Sequence, residues 1–167
     1  MTRIKVFLFG IGEAGKTAIT ETMNREDPFE KTKPTLAVIM SKMLVRNAAF
    51  IIWDVPGQIS LRTTWNASLK GSKLLIFVLD TANKERFDES KNVFLDIIND
   101  RETLGIPLIF CFHKMDLQAA KDNLIEAQEF FDLNSIENRK VNTLETSIHD
   151  KDSMNAIRDS MASNIIG

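Results

Sequence analysis

Apolar and polar positions fall in alternating blocks along the chain. "IKVFLF" (4–9), "LLIFVLD" (74–80) and "PLIFCF" (107–112) are near-continuous apolar runs, the pattern of strands buried on both faces of a parallel sheet. "VIMSKMLV" (38–45) and "AAFIIWD" (48–54) are mixed, and the Arg-Asn-Ala between them predicts a hairpin turn with an antiparallel strand at a sheet edge. A sixth strand is expected over "KVNTLET" (140–146). Between the strands, residues 84–100 place Phe87, Phe94, Ile97 and Ile98 on one helical face, and "KTAITETM" opens another helix at Lys16. Residues 153–165 put Met154, Ile157, Met161 and Ile165 in one stripe. That stripe lacks the Lys/Arg-rich polar face of membrane-surface helices, so it is expected to pack on the sheet. With no repeat, low-complexity stretch or linker, the alternation predicts a single α/β domain over residues 1–167. Its expected sheet is six-stranded and mostly parallel, with one antiparallel edge strand and helices on both faces.

Composition narrows the function classes. The chain is 44% hydrophobic and 26% charged, ordinary for a folded domain, and its net charge of −2 argues against nucleic acid as the main partner. Cys111 is the one cysteine, which rules out an internal disulfide framework and a cysteine-based zinc site. No apolar run approaches the roughly 18 residues needed to span a bilayer. Residue 2 is Thr rather than the Gly of a myristoylation site, and "NIIG" at the C-terminus offers no cysteine for prenylation. A cytoplasmic protein is expected, recruited to a membrane surface only through a partner.

Ligands of such sheets bind beyond the carboxyl ends of the strands. Polar clusters follow the apolar runs at four places. The first, "GIGEAGKT", matches G-x-x-x-x-G-K-[ST] through Gly10, Gly15, Lys16 and Thr17, directly after a predicted strand and opening a predicted helix. Glycines let successive backbone N–H groups turn inward around a β-phosphate, aided by the positive end of the helix dipole. Lys16 would reach the β- and γ-phosphates, and the Thr17 hydroxyl would ligate Mg²⁺. The second, "KPT" (33–35), puts Thr35 where it can supply a second hydroxyl to Mg²⁺, although Pro-Thr alone is an ordinary turn.

The third cluster, "WDVPGQ" (53–58), ends a strand. Asp54 can hold a Mg²⁺-bound water, and Gly57 can bring its N–H against a γ-phosphate with no Cβ in the way. Gln58, with donor and acceptor but no charge, suits the orientation of an attacking water. The fourth, "HKMD" (113–116), is completed by "ETSIHD" (145–150). The Asp116 carboxylate can accept from both the ring N1–H and the exocyclic amine of guanine, whereas adenine leaves it unpaired. The Lys114 stem is expected over the base plane, with Ser147 and the Ile148 N–H closing the pocket around O6.

In this order and spacing, the four clusters resemble the Ras-like small GTPases over essentially the whole chain. "WD", "GQISLRTTW", "LLIFVLDTANKERF" and the interval from Thr35 to Trp53 are similar to Arf and Arf-like proteins. "WDVPGQ", "HKMD" and "TSIHD" are similar to the Rag proteins. The resemblance implies a P-loop NTPase G domain that cycles between GTP and GDP with Mg²⁺. Segments 26–40 and 55–70 would be ordered by the γ-phosphate and released on hydrolysis. The nucleotide-binding set it implies comprises Gly10, Gly12, Glu13, Ala14, Gly15, Lys16, Thr17 and Ala18, then Thr35, Gly57, His113, Lys114, Asp116, Ser147 and Ile148. Thr17, Thr35 and, through water, Asp54 would serve the metal, and Gln58 would be catalytic. Implied partners are an exchange factor, an activating protein and effectors, with a homo- or heterodimer left open.

The chain departs from the pattern at several positions. His113 replaces the usual Asn that ties the base loop to the phosphate loop. Glu13 places a carboxylate in that loop and is expected to point outward, and Pro56 removes a backbone donor. The first strand begins by residue 4, leaving no stretch for an Arf-type amphipathic helix, and no Rag-type C-terminal domain is expected. Val38 and Trp53 could supply part of an Arf-like effector patch, with Ser68 at its third aromatic position, or Trp53 is simply core; Phe29 either meets the base or ribose edge-on or packs as an ordinary loop residue. No arginine finger in cis is identifiable, so slow intrinsic hydrolysis is expected. Two other readings stay open. One is a GTP-holding structural module without turnover; the other is a small-molecule P-loop kinase, which would need an Arg-rich lid where only Arg139 and Arg158 occur.

Overall fold

The computed structural model describes residues 2–25, 28–29, 35, 37–58, 62–63 and 65–165. Among the described residues six strands and five α-helices follow in the order β1 (Thr2–Phe9), α1 (Lys16–Arg25), β2 (Ile39–Val45), β3 (Ala48–Asp54), α2 (Trp65–Leu69), β4 (Leu74–Asp80), α3 (Phe87–Ile98), β5 (Leu108–His113), α4 (Gln118–Phe131), β6 (Val141–Glu145) and α5 (Lys151–Ile165). They form one sheet in the order β2-β3-β1-β4-β5-β6. β2 runs antiparallel to β3 at the edge, joined through Arg46 and Asn47, while β1 pairs parallel with β3 and β4, and β5 with β4 and β6. The architecture is the mostly parallel sheet with one antiparallel edge strand that the apolar blocks predict.

Strand alternation divides the interior in two. Phe7 and Phe9 of β1, Leu75, Phe77 and Leu79 of β4, and Leu108, Phe110 and Phe112 of β5 face one side, under α2, α3 and α4. Ile4, Val6 and Leu8, then Leu74, Ile76 and Val78, then Ile109 and Cys111 face the other, under α1 and α5. Both side-chain sets are buried because helices cover both faces, which is why these strands read as unbroken apolar runs. The first interior is largely aromatic. Phe77 meets Phe9 and Phe94 at ring-centroid distances of 5.0 Å each, and Phe110 meets Phe131 at 5.0 Å, the tilted and edge-on spacings that favour ring quadrupoles. On the second face, Met154, Ile157 and Met161 of the predicted stripe are core residues, with Ile165 packed at its margin.

Element boundaries differ from the pattern in explicable ways. β5 extends to His113, so the first residue of "HKMD" belongs to the sheet. The 84–100 pattern divides into a 3₁₀ turn at Lys84–Arg86 and α3. α5 starts two residues early because the Asp150 carboxylate accepts the N–H groups of Asp152 and Ser153, at 3.1 and 3.4 Å. α4 gives little sequence signal because its buried face is Ala120, Ala127 and Phe131, two of them small, while Ile125 is exposed. Among the described residues, no helix is long and apolar enough to cross a membrane. Of the expected switch segments, residues 26–27, 30–34, 36, 59–61 and 64 lie outside the described residues.

Candidate functional site

The sequence clusters meet at the carboxyl end of the sheet. β1 ends at Phe9, the chain turns through Gly10–Gly15, and α1 begins at Lys16 with its N-terminus facing the turn. Gly15 has φ 109°, and a Cβ there would stand 2.7 Å from Cδ2 of His113, so both backbone and space require glycine. Lys16 is buried, its Nζ donating to the carbonyls of Gly10 and Ile11 at 3.0 Å each. Ala14 is buried beneath the turn, Gly12 and Ala18 are half-buried, and Glu13, at φ 68°, is exposed. The loop thus gathers a cation and a helix N-terminus in one place, both favourable to an anion.

Thr17 and two remote segments add oxygens beside Lys16. The Thr17 hydroxyl donates to Oδ2 of Asp54 and lies 2.8 Å from the hydroxyl of Thr35. Asp54 ends β3 and is 1% exposed, a carboxylate removed from solvent. These are hard oxygen donors of the kind Mg²⁺ prefers. Among the described residues, no group of three or more His, Cys, Asp or Glu side chains is placed to hold a metal, so a cation at Thr17, Thr35 and Asp54 would also need oxygens from phosphate or water.

Immediately beyond Asp54 the chain passes against the phosphate loop. A Cβ on Gly57 would lie 2.6 Å from Gly12 N, from Ile11 C and from Lys16 Nζ, so no larger residue fits without displacing this segment. Gln58 is half-buried and follows directly. Two carbonyls of the segment are held from α2 and the turn before it: Trp65 Nε1 donates to Pro56 O at 2.7 Å, and Arg62 Nε to Gly57 O at 3.0 Å. Arg62 also pairs with Glu89 of α3. Arg86 pairs with Glu89 at 3.1 Å and donates to Gly12 O at 2.8 Å. Glu89 is held below the usual carboxylate range, first by its hydrogen bond from Arg86 and then by Arg62, with burial opposing.

Across the phosphate loop lies the second half of the site. His113 ends β5 with its ring against Gly15 and its Nδ1 2.8 Å from the Thr146 hydroxyl. Burial lowers its pKa to about 3, with the Lys114 cation adding to the effect and Asp116 opposing it, so the imidazole is neutral. Lys114, at φ 66°, anchors its ammonium on Glu13 O at 2.8 Å and on Asp80 Oδ2 at 3.0 Å. The stem expected over a base plane therefore spans the phosphate loop, β4 and β5. Asp116 is exposed, and its Oδ1 accepts the Ser147 hydroxyl at 2.8 Å. That hydroxyl in turn accepts the His149 N–H at 3.0 Å, and Ile148 between them packs at the edge of the α1–α5 interior.

The structure therefore brings Lys16, Thr17, Thr35, Asp54 and Gly57 into one cluster, and His113, Lys114, Asp116 and Ser147 into another alongside it. Phe29 donates its N–H to the Thr22 hydroxyl at 3.0 Å, with the Arg25 guanidinium 4.4 Å from its ring centroid. On β3 Trp53 is half-buried under Lys5, whose Nζ is 3.8 Å from its ring, and Ser68 is buried. Sequence reasoning did not single out Asp80, Thr146, Trp65, Arg62, Arg86 or Glu89. Asp80 alone carried a signal, as the carboxylate ending a buried strand.

A phosphate loop between the first strand and helix, inside a sheet of this strand order, defines the small GTPase class. A family model for the ADP-ribosylation factor family matches residues 1–165, and the chain belongs to that family. ADP-ribosylation factors K and J of Dictyostelium discoideum are 29% and 30% identical over 136 residues, covering 81% of this chain and 71% of each relative. The Arl6 BBS3 small GTPase of Trypanosoma brucei, solved with bound nucleotide analogue GppNp, superposes with a TM-score of 0.79 at 21% identity. The match covers 97% of this chain and 98% of that one. Of the two branches the motifs resemble, the Arf branch is the one these matches support.

Proposed function

We propose that this protein is a guanine-nucleotide switch that binds GTP and GDP with Mg²⁺ and hydrolyses GTP slowly unless a partner assists. The observation that carries the reading is the meeting of Thr17, Thr35 and Asp54 beside the buried Lys16, with the Asp116–Ser147 pair just beyond the ends of β5 and β6. Family membership supports the guanine nucleotide. In this reading Lys16 releases its hold on the Gly10 and Ile11 carbonyls and donates to β- and γ-phosphate oxygens. Gly10, Gly12, Glu13, Ala14, Gly15 and Ala18 line the phosphates through their backbone. The Asp116 carboxylate accepts from the guanine edge, while Ser147 and the Ile148 N–H close on O6. His113 and Lys114 hold the base loop to the phosphate loop.

Mg²⁺, when bound at Thr17 and Thr35 with Asp54 behind a water, would offset negative charge on the phosphates. Gln58 orients the attacking water without removing its proton outright, and the Gly57 N–H meets the γ-phosphate. Arg62 and Arg86 are already engaged with Glu89, so the additional cation for the transition state is assigned to an activating protein. Exchange factors and effectors complete the cycle, and membrane recruitment would run through such a partner.

The test is single-turnover hydrolysis with GTP and ATP in parallel. The wild-type protein should bind and turn over GTP, with ATP excluded. Gln58→Leu should retain GTP binding and lose about 100-fold in hydrolysis, at the lower end of the range for a positioned proton-handling group. Preference for ATP, or unchanged hydrolysis in the variant, would sink the respective assignment.

A further inference from the structure

Glu89 on α3 lies between two guanidiniums, each of which also reaches a backbone carbonyl. Arg86 engages both of its oxygens, Nε to Oε1 at 3.1 Å and Nη2 to Oε2 at 3.2 Å, and extends Nη1 to Gly12 O at 2.8 Å. Arg62 shares Oε2 and holds Gly57 O at 3.0 Å through Nε. The result is a continuous bridge from Gly57 through Arg62, Glu89 and Arg86 to Gly12. Its two ends are backbone segments already in contact, since a Cβ on Gly57 would stand 2.6 Å from Gly12 N.

An isolated surface ion pair would contribute little. This one differs in geometry. The Arg62 side chain is 16% exposed and that of Glu89 29%. Both guanidiniums are also committed to backbone carbonyls, which fixes their planes. Glu89 supplies the negative charge that lets two cations sit side by side, and without it they would repel each other across the bridge.

We infer that Glu89 is a positioning residue that clamps Gly57 and Gln58 against the phosphate loop in the triphosphate-bound arrangement. This rests on the guanine-nucleotide reading above. The sign follows from what accompanies the bridge: with Gly57 drawn in, the Thr35 hydroxyl also lies beside Thr17 and Asp54. Both segments are expected to gain contacts from a third phosphate, and a diphosphate gives those contacts to neither. The bridge therefore stabilises one nucleotide state over the other, the differential contact that a switch needs. It also ties that state to α3, outside the two switch segments.

The experiment compares release of fluorescent GppNHp and fluorescent GDP, with Mg²⁺ present, from wild type and Glu89→Gln. Thermal unfolding of the GDP-loaded proteins is the fold control. GppNHp release should quicken about 10-fold while GDP release stays within about twofold, and single-turnover GTP hydrolysis should fall in parallel. Arg62→Ala should reproduce the selectivity, and combining it with Glu89→Gln should add little, since both cut the same bridge. Arg62→Ala also serves where Glu89→Gln does not fold. Equal acceleration of both nucleotides, or of neither, against tight wild-type binding overturns the clamp alone. Wild-type protein that binds no guanine nucleotide overturns the underlying reading, and the clamp with it.

Discussion

The two halves of the site are built by different means. On the base side, His113, Lys114, Asp116 and Ser147 sit at or just beyond the ends of β5 and β6, neighbours in register, and their groups pair with one another or with Asp80 and Thr146. On the phosphate side, Lys16 and Thr17 open a helix, Thr35 comes from a separate segment, and Asp54 and Gly57 follow β3. Pairing of Asp54 with Leu8 of β1 holds the end of β3 beside the loop, but no strand pairing reaches Thr35 or the start of α1. The comparison separates two kinds of preorganisation. Sheet register fixes the positions of the proposed base-reading groups. The phosphate side depends on contacts between segments that covalent proximity does not supply, which is where a state-dependent change is inexpensive.

The largest effect is expected at the residue on which the phosphate side converges. Lys16→Ala removes a buried cation, and displacement of fluorescent GDP should show affinity lower by about 10³-fold, within the range for truncating one partner of a buried charged contact. Loss under tenfold would mean that the loop backbone alone carries the phosphates.

Next comes Asp116→Asn, which exchanges an acceptor for a donor opposite the guanine amine. Affinity for GDP should fall about 100-fold while that for xanthosine diphosphate rises, because a carbonyl replaces the amine at that edge. If the variant loses both nucleotides and also its thermal stability, the Asp116–Ser147 bond would be structural and the base side less independent than its register suggests. Glu89→Gln, at about tenfold on one nucleotide only, probes the phosphate side in its state-dependent part.

The smallest effect concerns the joint between the halves. His113 is held neutral in the fold, its pKa lowered to about 3 against an ordinary 6.5 when unfolded. Between those values the unfolded chain takes up a proton that the native imidazole refuses. Stability is therefore full above pH 6.5 and is lost as pH falls from 6.5 toward 3, at up to about 1.4 kcal/mol per pH unit. Urea unfolding at pH 7.5 and 5 should show wild type losing about 1 to 2 kcal/mol more than His113→Asn. Equal losses would indicate that this ring is protonated in the fold.

Much of the site was legible along the chain. The phosphate loop is a contiguous signal, because the N–H groups that surround a phosphate come from successive residues. Asp54, Gly57, Asp116 and Ser147 were legible because each follows an apolar run, where strand ends deliver side chains to one edge. The Arg62–Glu89–Arg86 bridge was not. Arg86 and Glu89 sit three apart at the start of α3, an ordinary helical charge pair by spacing, and nothing local indicates that Arg62, 27 positions away, completes it. Trp65 reads as one more apolar residue until its indole N–H is seen on Pro56 O.

By itself the sequence determined the α/β class, the strand that must lie at an edge, the Gly-rich loop before α1 and the strand-end position of the proposed guanine reader. Each of these rests on periodicity or on spacing within a few residues. Tertiary structure alone decided that the His113 ring packs on Gly15, that Thr17 joins Thr35 to Asp54, and that two arginines join Gly12 to Gly57 through Glu89. The physical reason is range. Hydrogen bonds between groups far apart in the chain leave no period and no fixed interval, and they exist only once sheet order and helix packing have set the distances.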